Sequence, residues 1–203
     1  QLGADAKGIK PCTKLINQTI EKAASEGGGT IYFPAGTYLT ATIHMKSNIT
    51  LHLESGAIVR FSDRFEDYLP FVTARWEGTV MQTLSPLIYA HSADNLTITG
   101  RGTLDGNGLK WWLWEFETRK VIKENGGKLP SLDKLQQMWV DANKDLEISD
   151  YYKPSLERKM FRPPFIQFYE CTNILIENVK IINSPFWTVN PAFCDNVTIH
   201  GVT

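Results

Sequence analysis

Four short stretches of the chain share one alternation of apolar and polar residues. They are Asn48-Ile-Thr-Leu-His-Leu53, Asn95-Leu-Thr-Ile-Thr-Gly100, Asn173-Ile-Leu-Ile-Glu-Asn178 and Asn196-Val-Thr-Ile-His-Gly201. Each opens on Asn and then alternates with period two, the mark of a half-buried strand. The last two Asn lie 23 residues apart, the first two 47 and the middle pair 78. A recurrence of about 20–25 residues carrying short β-branched strands predicts a solenoid whose coils stack on one another. On that scale 47 is close to two periods, and 78 is one period with an excess of about 55 residues. An Asn at each strand start suits a turn whose side chain bonds its own backbone or the next Asn in the stack. Three of the four Asn-x-Thr sequons (at Asn48, Asn95 and Asn196, but not Asn17) coincide with the repeat, so the turn accounts for them better than glycosylation does.

The excess has a location. Residues 111–161 are rich in charge and helix formers, and from Ser131 apolar residues recur at helical spacing, with Ser131 as the expected N-cap. Near the start, Thr13 to Ser25 reads as an amphipathic helix ended by Gly27-Gly-Gly29. Thr30 to Leu39 then reads as a strand, a Pro-Ala-Gly turn and a second strand. The expected architecture is all-β: a right-handed parallel β-helix forming a single domain over residues 1–203. A cap helix at about 11–26 covers its first coil and a helical insertion leaves it at about 111–161. The last repeat ends on an open strand edge, which invites pairing, so the chain is expected to be truncated at its C-terminal side.

Bulk properties exclude more than they assign. A formal charge of −1 carries no nucleic-acid footprint. No run of 18 apolar residues predicts a membrane span. The three cysteines cannot all pair, and none has metal-type spacing. Cys171 and Cys194 are 23 apart, the same place in consecutive coils, which favours stacked core residues. No histidine pairs with an acid or Cys as in a triad or metal site, and His52 and His200 fall on solvent-side strand positions. Asp94, Asp105 and Asp195 sit where turn residues are expected. Nothing in the pattern specifies an oligomeric state.

Several stretches together carry a resemblance. Gly3-Ala-Asp5 with Gly27-Gly-Gly-Thr-Ile-Tyr-Phe-Pro-Ala-Gly-Thr-Tyr38 resembles the opening of the pectin-lyase-like β-helix superfamily. Ile43 to Asp63, Arg75-Trp-Glu-Gly78, Ser85-Pro-Leu-Ile-Tyr89, Gly100-Arg-Gly-Thr-Leu-Asp-Gly-Asn-Gly108 and Asn183-Ser-Pro-Phe-Trp187 resemble glycoside hydrolase family 28, the polygalacturonases, in its bacterial form. The resemblance implies hydrolysis of α-1,4-galacturonosyl or related linkages in pectic polysaccharide or oligogalacturonide, with inversion, without cofactor or metal, in a secreted or periplasmic bacterial protein. Inverting glycosidases need an acid and a base about 6.5–9.5 Å apart. The family carries its chemistry on Asn-Thr-Asp, Asp-Asp, Gly-His-Gly and Arg-x-Lys, and none of these occurs in the 203 residues. No catalytic residue is therefore assigned here, and the motifs are expected beyond residue 203. One rival is a non-catalytic β-solenoid, a structural protein or one that binds carbohydrate or a partner. The other is a β-helix pectate lyase, which would want clustered carboxylates for calcium.

Counting back from each repeat Asn places Tyr89, Gln167 and Asn190 in one column, and Trp187 in line with Pro86 and Pro164. Carried one coil further onto the family's Asn-Thr-Asp coil, the register sets Trp187 and Asn190 beneath catalytic positions. Trp187 is then a sugar platform or core filler. Arg75, with Trp76 and Glu77 on an irregular stretch, is a holder for a sugar carboxylate or a surface ion-pair partner. Arg162 carries the same two readings. The Trp111, Trp112 and Trp114 cluster either borders a cleft or docks the insertion.

Overall fold

The computed structural model describes residues 3–147 and 161–203, where the chain winds as a parallel β-helix with three faces. Face one stacks Gly29–Phe33 (β2), Ile49–Leu53 (β5), Asp94–Gly100 (β10), Thr172–Glu177 (β13) and Asp195–His200 (β15). Face two stacks Lys7–Pro11 (β1), Gly36–Thr40 (β3), Ala57–Phe61 (β6), Thr103–Asp105 (β11) and Lys180–Ile182 (β14). Face three is shorter, with Ile43–His44 (β4), Ile88–His91 (β9) and Ile166–Tyr169 (β12). Two bridges, Ile166 to Val189 and Tyr169 to Ala192, carry face three one coil further.

Alternation builds the core. On face one Ile31, Leu51, Ile98, Ile176 and Ile199 stand in register. The first four are buried, each stabilising by ~1.5–3 kcal/mol, while Ile199 at the end of the stack is exposed. The polar positions between them face outward, as the pleat requires. At the corner where each strand begins the repeat Asn adopts the left-handed conformation, with φ of 62, 58, 55 and 53° at Asn48, Asn95, Asn173 and Asn196. Their side chains form a continuous ladder. Asn95 Nδ2 donates to Asn48 Oδ1 at 2.8 Å, Asn173 to Asn95 at 3.1 Å and Asn196 to Asn173 at 2.7 Å. At the opposite corner only glycine fits position 100: its φ is +117°, and a Cβ would lie 2.0 Å from the Leu53 carbonyl oxygen.

One expectation from spacing is overturned. Leu51 pairs directly with Ile98, so Asn48 and Asn95 belong to adjacent coils and their 47 residues are not two periods. The surplus is an antiparallel hairpin, Val72–Trp76 (β7) with Thr79–Thr83 (β8), leaving the helix between β6 and β9. Its length and alternation imitate a coil, and alternation does not encode pairing direction. The insertion leaves from the equivalent corner one coil later, between β11 and β12.

The insertion opens with Leu109–Glu124 (α2), slightly ahead of the expected 111, and continues into Lys134–Ala142 (α3); its 148–160 stretch lies outside the described residues. Asp133, not Ser131, caps α3, through a reciprocal capping box with Gln136. The tryptophans dock this unit. Trp111 is buried and stacks on Phe65 at 4.0 Å between centroids, and Trp112 Nε1 donates to the Ser184 carbonyl at 2.9 Å. At the other end Thr13–Ser25 (α1) buries Ile16 and Ile20, and Asn17 grips the first coil, donating to Thr42 O and accepting from His44 N. Cys171 and Cys194 are free thiols in consecutive coils, bonded to the carbonyls of Tyr169 and Phe168.

Candidate functional site

Face three presents one outward column. His44, Tyr89 and Gln167 are in register, and the Ile166–Val189 bridge places Asn190 on the next rung above Gln167. Their neighbours Ile43, Ile88 and Ile166 are fully buried in the core, so the column points away from it. Trp187 comes in line with Pro164 and Pro86, as the spacing predicts: Phe165 N bonds Trp187 O and Leu87 N bonds Pro164 O.

The hairpin lies against this column and is held by it. Tyr89 donates its hydroxyl to Thr73 O at 2.6 Å, and burial pushes that hydroxyl well above its usual pKa, so it stays a donor. One rung up, Gln167 grips Arg75 with both ends of its amide: Arg75 N donates to Oε1 at 2.9 Å, and Nε2 donates to Arg75 O at 2.8 Å. Gln167 is wholly inaccessible to solvent, and both amide atoms are satisfied by this clamp. From the other side Asn143, at the end of α3, grips β8 in the same way through Gln82 N and Gln82 O, both at 2.8 Å. The hairpin is thus fixed between the solenoid and the insertion.

The sequence candidates separate within this frame. Arg75 lies on the hairpin with its guanidinium 5.7 Å from the Phe193 ring centroid, and no carboxylate ion-pairs with it among the described residues. Its Nε is inaccessible and has no hydrogen-bond partner. Trp76 is buried in packing, stacked on Phe186 at 5.5 Å and edge-on to Phe161, with Nε1 on the Arg162 carbonyl. Glu77 sits in the two-residue turn between β7 and β8, with φ of 50°. Arg162 is a tether: it ion-pairs with Glu115 of α2, donates to Pro185 O at 2.8 Å and lies over Phe186. Burial pulls its pKa below the usual guanidinium value, against the pull of Glu115. Trp187 is 39% exposed and stacks on Phe186. Asn190 holds its chain on face three through N–H to Ile166 O at 2.9 Å, while its side-chain Nδ2 is inaccessible and unpartnered.

Two contributors escape reading from spacing altogether, and for Gln167 the spacing gives its place in the column but not its grip on Arg75. Glu115 and Phe193 carry no signal, because their partners Arg162 and Arg75 are remote in sequence. Asp105, read as a turn residue, does bond Asn107 N, and it also pairs with Arg60 at 3.0 Å and accepts from Asn183 at 2.8 Å. Among the described residues no three His, Cys, Asp or Glu side chains gather as a metal site, and no helix is long and apolar enough to cross a membrane.

Comparison with known proteins fits this geometry. Residues 1–69 match the family model for rhamnogalacturonase A/epimerase, pectate lyase-like. A probable polygalacturonase of Vitis vinifera is 28% identical over 190 residues, 91% of this chain and 31% of that protein. An exo-poly-α-D-galacturonosidase of Dickeya chrysanthemi is 31% identical over 117 residues, 54% of this chain and 19% of that protein. The crystal structure of a hyperthermoactive exopolygalacturonase from Thermotoga maritima superposes on 99% of this chain and 44% of its own, with a TM-score of 0.76 and 35% identity. Over most of its length the chain is similar to part of these polygalacturonases. The likeness to glycoside hydrolase family 28 read from sequence stands, and so does the parallel β-helix. The chain spans about a third or less of the curated polygalacturonases it matches, 31% and 19% of their lengths.

Proposed function

We propose that the polypeptide carrying these residues is a secreted or periplasmic glycoside hydrolase that cleaves galacturonosyl or related linkages in pectic polysaccharide with inversion. Its acid and base belong to coils of the same β-helix domain outside the 203 residues, since none of the family's catalytic motifs occurs within them. What carries the reading is the near-complete superposition on the Thermotoga exopolygalacturonase at 35% identity. The outward column of face three, with a hairpin and an insertion both fixed beside it, supports a substrate-binding wall here. Trp187 supplies an exposed apolar face for a sugar ring, and Arg75 and Asn190 supply donors.

The test is hydrolysis of polygalacturonate by the complete gene product, followed as reducing-sugar release, with NMR reading the anomer first formed. Release with inversion is expected, and the 203-residue chain by itself is expected to release none. The Thermotoga and Dickeya relatives are named as exo-acting, so release from the chain end is the first product pattern to seek. A complete product that binds oligogalacturonide without cleaving it would establish the rival, a non-catalytic solenoid, which the missing motifs support only where the 203 residues are the whole gene product.

A further inference from the structure

We infer that Arg75 and Asn190 form a subsite for a sugar carboxylate, with Gln167 as the positioning residue that holds Arg75 in it. This rests on the pectic reading above. The observation behind it is a pair of orphan donors. Among the described residues, inaccessible side-chain nitrogens without a partner include Arg75 Nε and Asn190 Nδ2; Arg75 belongs to the hairpin that Gln167 clamps to face three, and Asn190 to the outer column of that face. Gln167 bonds the main chain of Arg75 and stands one rung below Asn190, and rungs are about 4.8 Å apart.

Desolvating a donor without giving it an acceptor is unfavourable, and more so when it belongs to a charged group. Arg75 carries part of that penalty: among the described residues no carboxylate pairs with it, and its guanidinium stands 5.7 Å from the ring centroid of Phe193. Both orphan groups donate and neither can accept, so the missing ligand is an acceptor. The planar fork of a guanidinium fits a carboxylate in two-point contact. A uronate carries one carboxylate per ring, whereas its methyl ester presents the same ring without the charge.

The amide clamp explains how Arg75 keeps its aim. Gln167 fixes the backbone of that residue from both sides, because it bonds both Arg75 N–H and Arg75 C=O. A wholly buried glutamine used in this way fixes geometry without touching the sugar.

The experiment uses the complete enzyme on a short oligogalacturonide and on its methyl ester, and reads the ratio of the two kcat/KM values. Arg75→Met is expected to lower the acid-over-ester ratio roughly tenfold, the scale of one charge-assisted contact. It should act mainly through KM for the acid, and Arg75→Lys should restore part of the ratio. Gln167→Met should lower the same ratio by a smaller factor. A merely structural role for either residue would scale both substrates alike and leave the ratio unchanged, and that result overturns the subsite. Should Gln167→Met fail to fold, the Arg75→Met and Arg75→Lys pair still decides. Wild-type enzyme inactive on both substrates overturns the pectic reading itself, a failure distinct from activity with an unchanged ratio.

Discussion

Replacing Asn95 tests the corner ladder that holds consecutive coils in register. Its side chain donates to Asn48 at 2.8 Å and accepts from Asn173 at 3.1 Å, while its backbone sits at φ +58°. Asn95→Ala removes both bonds and forces a Cβ residue without a local hydrogen bond into the left-handed region. The site is exposed, so the two lost bonds are worth about 1 kcal/mol together, at the low end for neutral pairs. The left-handed backbone adds about 1–2 kcal/mol for alanine. The total, about 2–3 kcal/mol, corresponds to a fall in Tm of about 4–12 °C for a chain of this size. Asn95→Gly loses the same bonds but avoids the steric strain, exchanging it for about 0.5–1 kcal/mol of unfolded-chain entropy. Glycine should therefore be milder than alanine by about 0.5–1 kcal/mol. Urea unfolding at constant m-value measures both. If both variants stay within about 0.5 kcal/mol of wild type, the ladder does not stabilise the coils. Equal losses for alanine and glycine would refute the strain part of the reasoning.

Two further outcomes follow from charges inside the fold. Burial disfavours the Asp105 carboxylate, but Asn183, Asn107 N–H and Arg60 outweigh it and hold its pKa below the ordinary carboxylate value. That stabilisation is complete above the unfolded pKa near ~3.9 and is lost as pH falls through the lower folded value. Asp105→Ala should destabilise by about 2–4 kcal/mol near neutrality, and the difference from wild type in thermal melts should shrink on acidification below about pH 4; a pH-independent difference refutes this. Glu115 joins Arg162 and Arg119, with side chains of Glu115 and Arg162 only 11% and 15% exposed. Glu115→Gln leaves Arg162 charged and unpaired, a loss of about 3–5 kcal/mol for a buried pair broken on one side. Hydrogen exchange should rise across α2 while the strands of face one stay protected, and unchanged exchange in α2 would contradict the tether.

Much of the solenoid was legible in the linear pattern. Alternation after each Asn marks face one correctly because side-chain direction in a strand follows parity alone. The ladder, the cap helix and the column of Tyr89, Gln167 and Asn190 come from spacing, since identical coils must repeat at fixed intervals. Where spacing failed it failed for a physical reason: the β7–β8 hairpin has the length and alternation of a coil, and only its antiparallel pairing distinguishes it. The N-cap of α3 moved from Ser131 to Asp133 because a capping box needs its Gln three residues on, and only Asp133 has Gln136 there.

The candidate site divides along the same line. That Arg75, Trp187 and Asn190 are the kinds of residue that bind a charged sugar could be read from the chain. Which of them remain unpartnered was settled by tertiary contacts across 92 residues from Arg75 to Gln167 and 61 from Gln82 to Asn143. Arg162 illustrates the division best. As a residue type it equals Arg75, yet Glu115 and the Pro185 carbonyl engage its charge and donors, while among the described residues Arg75 keeps its guanidinium without an acid. Composition and parity determine which face of a strand is polar, because they act through neighbours along the chain. Whether a polar group on that face is used up or left open depends on what the fold brings opposite it, and no local pattern carries that.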